Sequence, residues 1–203
     1  LITMKKLLLL VVLMFTTFTF AQNQLNFEFG TFDFVKDQTE VNVQLKFDNV
    51  LFQADNFTEA QYLERRKAET LAKKNAMAWQ KWEEAWGNFK NTEYLNYFLK
   101  GLNGWSKKVA FKKDINSKYT LIVDTKWVYA GWHAGLVAQE GKLTSDLIFV
   151  ETDNPSKVVM KLQGSEILGK KTNKDFTMEY GRIAGAYEVT GKELGKAIRK
   201  VIK

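Results

Sequence analysis

The 203-residue chain has no cysteine, one proline and one histidine. Each shortage removes a class of chemistry. Without cysteine there is no disulfide and no thiolate nucleophile, so the fold must stand on its core even in an oxidising compartment. The acylated cysteine that a bacterial lipoprotein carries directly after its leader is missing too. One histidine and no cysteine leave too few preferred ligands for zinc. His133 is the single candidate base for a triad, and no Gly-x-Ser-x-Gly elbow accompanies it. The stretch Gly164 to Lys171 has a lysine after a glycine but lacks the Gly-Lys-Ser/Thr of a phosphate loop. Glu83-Glu84, Asp124, Asp146, Glu151 and Glu166 read as acids on solvent faces rather than a hydrolytic pair. The sequence therefore predicts a protein without catalytic residues, metal or cofactor.

Long apolar runs are also scarce, and the one that exists lies at the start. Met4-Lys5-Lys6 is a short positive segment, Leu7 to Phe15 is unbroken apolar, and Thr19-Phe20-Ala21 ends it with small residues. This order predicts a secretory signal peptide over residues 1–21, with Met4 as the start and a mature chain from Gln22. The run is too short for a transmembrane helix, and the chain after Ala21 turns polar. The expected protein is exported, periplasmic or secreted, with no transmembrane span in its mature part and no lipid anchor. Losing Lys5 and Lys6 lowers the net charge from +7 to +5. Such a mild excess fits attraction to anionic envelope surfaces. The lysines are scattered and form no recognition motif, which argues against nucleic acid.

Residues 22–203 suit a single domain. Val41, Val43, Leu45 and Phe47 alternate with polar residues, as a half-buried strand requires, and Leu25, Phe27 and Phe29 repeat the pattern more weakly. Thr58 with Gln61 forms a capping box, a better account of Asn56-Phe57-Thr58 than a glycosylation sequon. From there one helix is expected to run to Trp86 and stop at Gly87, about 42 Å at ~1.5 Å per residue, with a polar middle where a break would fall. A second helix is expected from Thr92 to Leu102. Strands are expected at Tyr119–Val128, Lys142–Glu151 and Lys157–Gly164, the last two joined by a turn holding Pro155. A final helix begins near Thr177 or Met178. Its Gly181, Gly185, Gly191 and Gly195 mark a partner groove, close approach to the protein's own sheet, or a kink near Val189-Thr190. The order predicts an α+β two-layer sandwich. A mainly antiparallel sheet of about four to five strands carries the long helix and the C-terminal helix on one face.

Lys118 to Val123, Phe149 to Val158 and Gly181 to Lys196, with Asn42 to Asp48 before the long helix, resemble a family of small, uncharacterised exported bacterial proteins, a domain of unknown function. Glu151-Thr152-Asp153-Asn154-Pro155-Ser156-Lys157-Val158 is the specific segment. More distantly, the element order is similar to the small α/β domain of the curli secretion lipoprotein and of the N-terminal part of the periplasmic Tol translocation protein. These resemblances imply an envelope assembly or adaptor role without catalysis, although the lipoproteins' acylated cysteine is absent here.

Six tryptophans are the strongest lead to a site. Trp79, Trp82 and Trp86 share one helical face; such a stripe ordinarily packs on a sheet, and otherwise forms an exposed contact surface. Trp132, beside His133 in a glycine-bounded loop, is the best candidate for exposure. The candidate surface is thus Trp79, Trp82, Trp86, Trp132 and His133. Two roles fit it: binding an envelope protein through the tryptophan end of the long helix, or binding polysaccharide through Trp132.

Overall fold

Alternating apolar residues on three long strands decide the register of the sheet. The computed structural model describes residues 25–171 and 174–202, and the expected leader over 1–21 lies outside them. β5 (Tyr119–Tyr129), β8 (Lys142–Glu151) and β9 (Asn154–Leu168) are antiparallel neighbours. Leu121 sits opposite Phe149 and Val123 opposite Leu147, and Phe149 and Leu147 in turn face Met160 and Leu162. All six side chains are buried, so one face of the sheet is continuous core.

The sheet is larger than expected and mixed. Its order is β1-β9-β8-β5-β2-β4, with β3 also on β5, seven strands in all among the described residues. β1 (Leu25–Phe29) is an edge strand antiparallel to β9. β2 (Glu40–Lys46) lies parallel to β5 and to β4 (Ala110–Lys112), and β3 (Leu51–Phe52) is also parallel to β5. The expected loop at 131–135 is instead part of a small hairpin, β6 (Trp132–Ala134) and β7 (Val137–Gln139). Between β1 and β2 a short 3-10 turn, Phe32–Val35, lays Phe32 and Phe34 edge-on against Phe149. A register shift after Thr125 moves Trp127 off the core face that strict alternation gave it, and Val128 takes the buried place. Pro155 lies inside β9 rather than in the turn before it, where irregular pairing beside Glu151 and Val150 leaves its missing N–H harmless.

The long helix expected over 58–86 is two helices. α1 (Glu59–Lys73) is capped by Thr58, whose hydroxyl accepts from Gln61 N at 3.3 Å while Gln61 Oε1 accepts from Thr58 N at 2.9 Å. It ends where Lys74 and Asn75 leave helical geometry, and Asn75 caps α2 (Ala76–Asn88) by accepting from Ala78 N at 2.9 Å. The chain folds back there, which brings Trp86 near the end of α2 onto Glu59 at the start of α1. Gly87 is no stop. α2 passes into a π-helical turn, Phe89–Glu93, and on into α3 (Tyr94–Trp105).

α4 (Glu179–Val201) runs unbroken, and its glycines serve neither a partner groove nor a kink. A Cβ at Gly191 would stand 2.1 Å from Phe98 O, one at Gly195 2.6 Å from Leu102 O, and one at Gly101 2.0 Å from Glu188 O. The main chains of α3 and α4 touch, and this close approach is to a neighbouring helix rather than to the sheet. Tyr94 stacks on Tyr187 beside that contact, centroids 4.8 Å apart, and Tyr187 shares a hydrogen bond of 2.5 Å with Thr125 of β5. The opposite face of the sheet carries ion pairs, Lys161 bridging Asp146 and Glu28. No helix among the described residues is long and apolar enough to cross a membrane.

The contrast between glycines is testable by chemical denaturation. Gly191→Ala must force two backbones apart and lowers the unfolding free energy by about 1–3 kcal/mol. Gly87→Ala meets open space inside a helix and raises it by about 0.5–1 kcal/mol.

Candidate functional site

The three tryptophans of α2 form a stacked ladder, Trp79 on Trp82 and Trp82 on Trp86, each pair 5.4 Å apart. They are only 7%, 3% and 2% exposed. Trp86 also meets Phe52, Tyr62 and Tyr94. The indole N–H groups of the last two are spent internally, Trp82 donating to Glu179 at 3.2 Å and Trp86 to Glu59 at 3.0 Å. This stripe is core, and the contact surface expected at Trp79, Trp82 and Trp86 is corrected accordingly. The fold-back at Asn75 explains it, because α1 covers the face a single straight helix would have left open.

Trp132 is different. It is 44% exposed and stands on the rim of a cleft of about 440 Å³. One wall is α1, with Tyr62, Arg65, Arg66 and Glu69; the other is the turn after β3, with Gln53 and Asp55; Tyr129 and Gly131 close the end. The turn is rigid. Phe52 and Phe57 exchange both backbone hydrogen bonds, and Gln53 and Asn56 hold left-handed φ angles of 61° and 54°. Trp127 fixes it from β5 by donating its indole N–H to Gln53 O at 2.9 Å. His133 is exposed on the hairpin, its ring edge-on to Phe176 at 6.5 Å, and does not line this cleft.

Two arginines organise the cleft from beneath. Arg182, buried on α4, donates from Nε to Ala130 O at 2.7 Å and from Nη1 to Thr177 O at 2.8 Å and Phe176 O at 3.2 Å. It ties the strand leading into Trp132 to the start of α4. Burial pulls its pKa below the usual guanidinium range, with Glu179 opposing that pull. Arg66 pairs with Glu179 at 2.9 Å and lies over the Trp82 ring at 5.2 Å, so the tryptophan ladder and the cleft wall share one carboxylate. Within this charged setting the buried Tyr62 hydroxyl has no hydrogen-bond partner. Its ring stacks on Phe52 at 4.8 Å. Burial, reinforced by Glu179, raises its pKa well above the ordinary phenol range.

The cleft presents one exposed aromatic ring and planar polar groups of both signs, with the unpaired Tyr62 hydroxyl buried in its wall. A volume of this size falls within the range of about 300–1,000 Å³ typical of small-molecule seats. Among the described residues no group of three or more histidine, cysteine, aspartate or glutamate side chains is placed to hold a metal. Of the site, sequence reasoning finds Trp132. Tyr62, Arg65, Arg66 and Glu69 escape it, since in the sequence they read only as parts of a long helix with a polar middle. No family model matches this chain, and no curated protein or solved structure does.

Burial raises the pKa of Tyr94 and Tyr187 as well, each fully enclosed. The unfolded chain ionises these phenols near pH 10, whereas the folded chain keeps them protonated. Their contribution is complete below pH 10 and declines above it, by about 1.4 kcal/mol per pH unit for each phenol. With Tyr62 included, stability falls by roughly 4 kcal/mol per pH unit in that range. The share of phenolate absorbance at 295 nm that belongs to Tyr62, Tyr94 and Tyr187 is expected to appear in one cooperative step coincident with loss of far-ultraviolet circular dichroism; ionisation of all seven tyrosines in a chain that keeps its circular dichroism would contradict it.

Proposed function

We propose that the protein is an exported, non-enzymatic binding module of the cell envelope, and that the Trp132 cleft is its seat for a segment of glycan. The observation that carries this reading is the exposed indole of Trp132 on a cleft lined by Gln53, Asp55, Arg65, Glu69 and Tyr129. A sugar ring offers an apolar C–H face to an aromatic plane and hydroxyls to planar donors and acceptors.

A protein-binding adaptor is the second reading, and a separate observation favours it. At the tip of the β6–β7 hairpin Leu136 and Val137 are 104% and 60% exposed, close in sequence to Trp132. Apolar side chains displayed together on a tip mark contact with another macromolecule.

Tryptophan emission separates the two. Titration with envelope polysaccharide is expected to shift the emission of the intact protein, and Trp132→Ala to weaken binding about tenfold or more without changing the circular dichroism. Unchanged emission with every polysaccharide defeats the glycan reading. In that case Leu136→Ser with Val137→Ser, if it abolishes a recurrent stoichiometric cross-link in envelope extract, leaves the adaptor reading standing. The export part has its own check: intact mass of the protein recovered from outside the cytoplasm is expected to correspond to a chain beginning at Gln22, and recovery only from the cytoplasm with residues 1–21 intact would refute it.

A further inference from the structure

A second cleft, of about 340 Å³, lies further along α4, between that helix and α3. Lys100 and Trp105 of α3, Lys192 and Glu188 of α4, and Lys170 from the segment after β9 line it. Glycine contacts assemble these three stretches of chain. Gly101 and Gly191 bring the main chain of α3 against that of α4, and a Cβ at Gly185 would stand 2.7 Å from Lys170 O. The lysine-bearing backbones are therefore fixed by packing, and only the side chains move freely.

Positive charge dominates what they present. Lys192 Nζ, Lys196 Nζ and Arg199 Cζ lie 5.9, 5.3 and 5.8 Å from the centre of the Trp105 ring. Spaced i, i+4 and i+7, they share one face of α4. The nearby acids are engaged: Glu188 pairs with Lys100 at 3.1 Å and Glu193 with Lys196 at 2.9 Å. Lys170 and Lys192 line the same cleft, and among the described residues no carboxylate forms an ion pair with either. Lys170 beside it, with burial and the charge of Lys196, pushes Lys192 down to about 8, against the opposing pull of Glu193. Like charges that converge on one cleft repel each other, and an anion between them cancels that repulsion. The basic surface continues beyond Trp105 to Lys107 and Lys108, which with Arg199 line an adjoining hollow.

We infer that the cleft between α3 and α4 is an anion site for a phosphate group, bridged by Lys170 and Lys192 with Lys100 and Arg199 at its margins. A phosphate oxygen cluster accepts from two or more ammonium groups at once and cancels their repulsion. Free phosphate and a lipid headgroup both present this chemistry, and recognition is the same for each.

The test uses the folded chain with two probes, inorganic phosphate in calorimetry and vesicles of phosphatidylglycerol with phosphatidylcholine in co-sedimentation. Lys170→Gln with Lys192→Gln is the test variant. Lys126→Gln, on β5 and away from this cleft, is the charge control. Phosphate binding that weakens roughly tenfold or more in the test variant and not in the control establishes the site with free phosphate as a sufficient ligand. Binding to anionic vesicles alone, with the same pattern, establishes it with the headgroup as the source. No binding of either probe, or equal weakening in the control, overturns the proposal. Should the test variant fail to fold, the ammonium resonance of Lys192 in the unaltered protein decides. Phosphate or vesicles are expected to move its titration upward, and an unmoved titration overturns the site.

Discussion

The contact between α3 and α4 fixes the rest of the helical layer. Because Gly101, Gly191 and Gly195 carry no Cβ, the two main chains meet at a distance at which any side chain would collide with a carbonyl. That spacing puts Tyr94 flat on Tyr187, and Tyr187 in turn reaches Thr125 at the centre of the sheet. From Tyr94 the aromatic packing runs outward through Trp86 to Tyr62 and Phe52. A bulkier residue at the crossing would displace the ladder of tryptophans and, with it, the wall of the Trp132 cleft.

A core this rich in rings has a polar problem as well as an apolar benefit, since indole N–H groups are costly to bury unpaired. Glu179 and Glu59 solve it for Trp82 and Trp86, and each carboxylate is shared with a cation, Arg66 or Lys90. Glu179 is the more consequential of the two. It belongs at once to the core, through Trp82, and to the cleft, through Arg66. The Trp132 cleft is thus an outward extension of the packing that replaces disulfides in this chain.

How much of this could be read from the sequence depends on the range over which each feature is encoded. β2, β5 and β8 announce themselves, because period-2 alternation over seven or more residues is the signature of a strand with one buried face. β3, β4, β6 and β7 have two or three residues each, too few for any period to show. The parallel pairing of β2 with β5 is set by where α1, α2 and α3 deposit the chain, which no local pattern states. The Thr58 capping box was legible because Gln61 completes it three residues on, whereas Asn75 has only Ala78 at that place and caps α2 without a second side chain. Burial of Trp79, Trp82 and Trp86 results from that same reversal. Trp132 could be picked out from its glycine neighbours, but its cleft joins residues 53 to 179, and the basic cleft joins residues 100 to 192. Charges scattered along the sequence become a patch only when glycine contacts draw their helices together.

The pairing of β1 with β9 carries a consequence for how the molecule comes into being. Leu25 to Phe29 is the first strand among the described residues to be synthesised, yet its partner lies at Lys161 to Gly164, more than 130 residues later. Contacts of such long sequence separation form late. Until β9 arrives, an apolar strand bearing Phe27 and Phe29 has nothing to pair with, and an unpaired strand is a template for another chain. β1 therefore waits for the synthesis of more than 130 further residues before the strand that pairs with it exists.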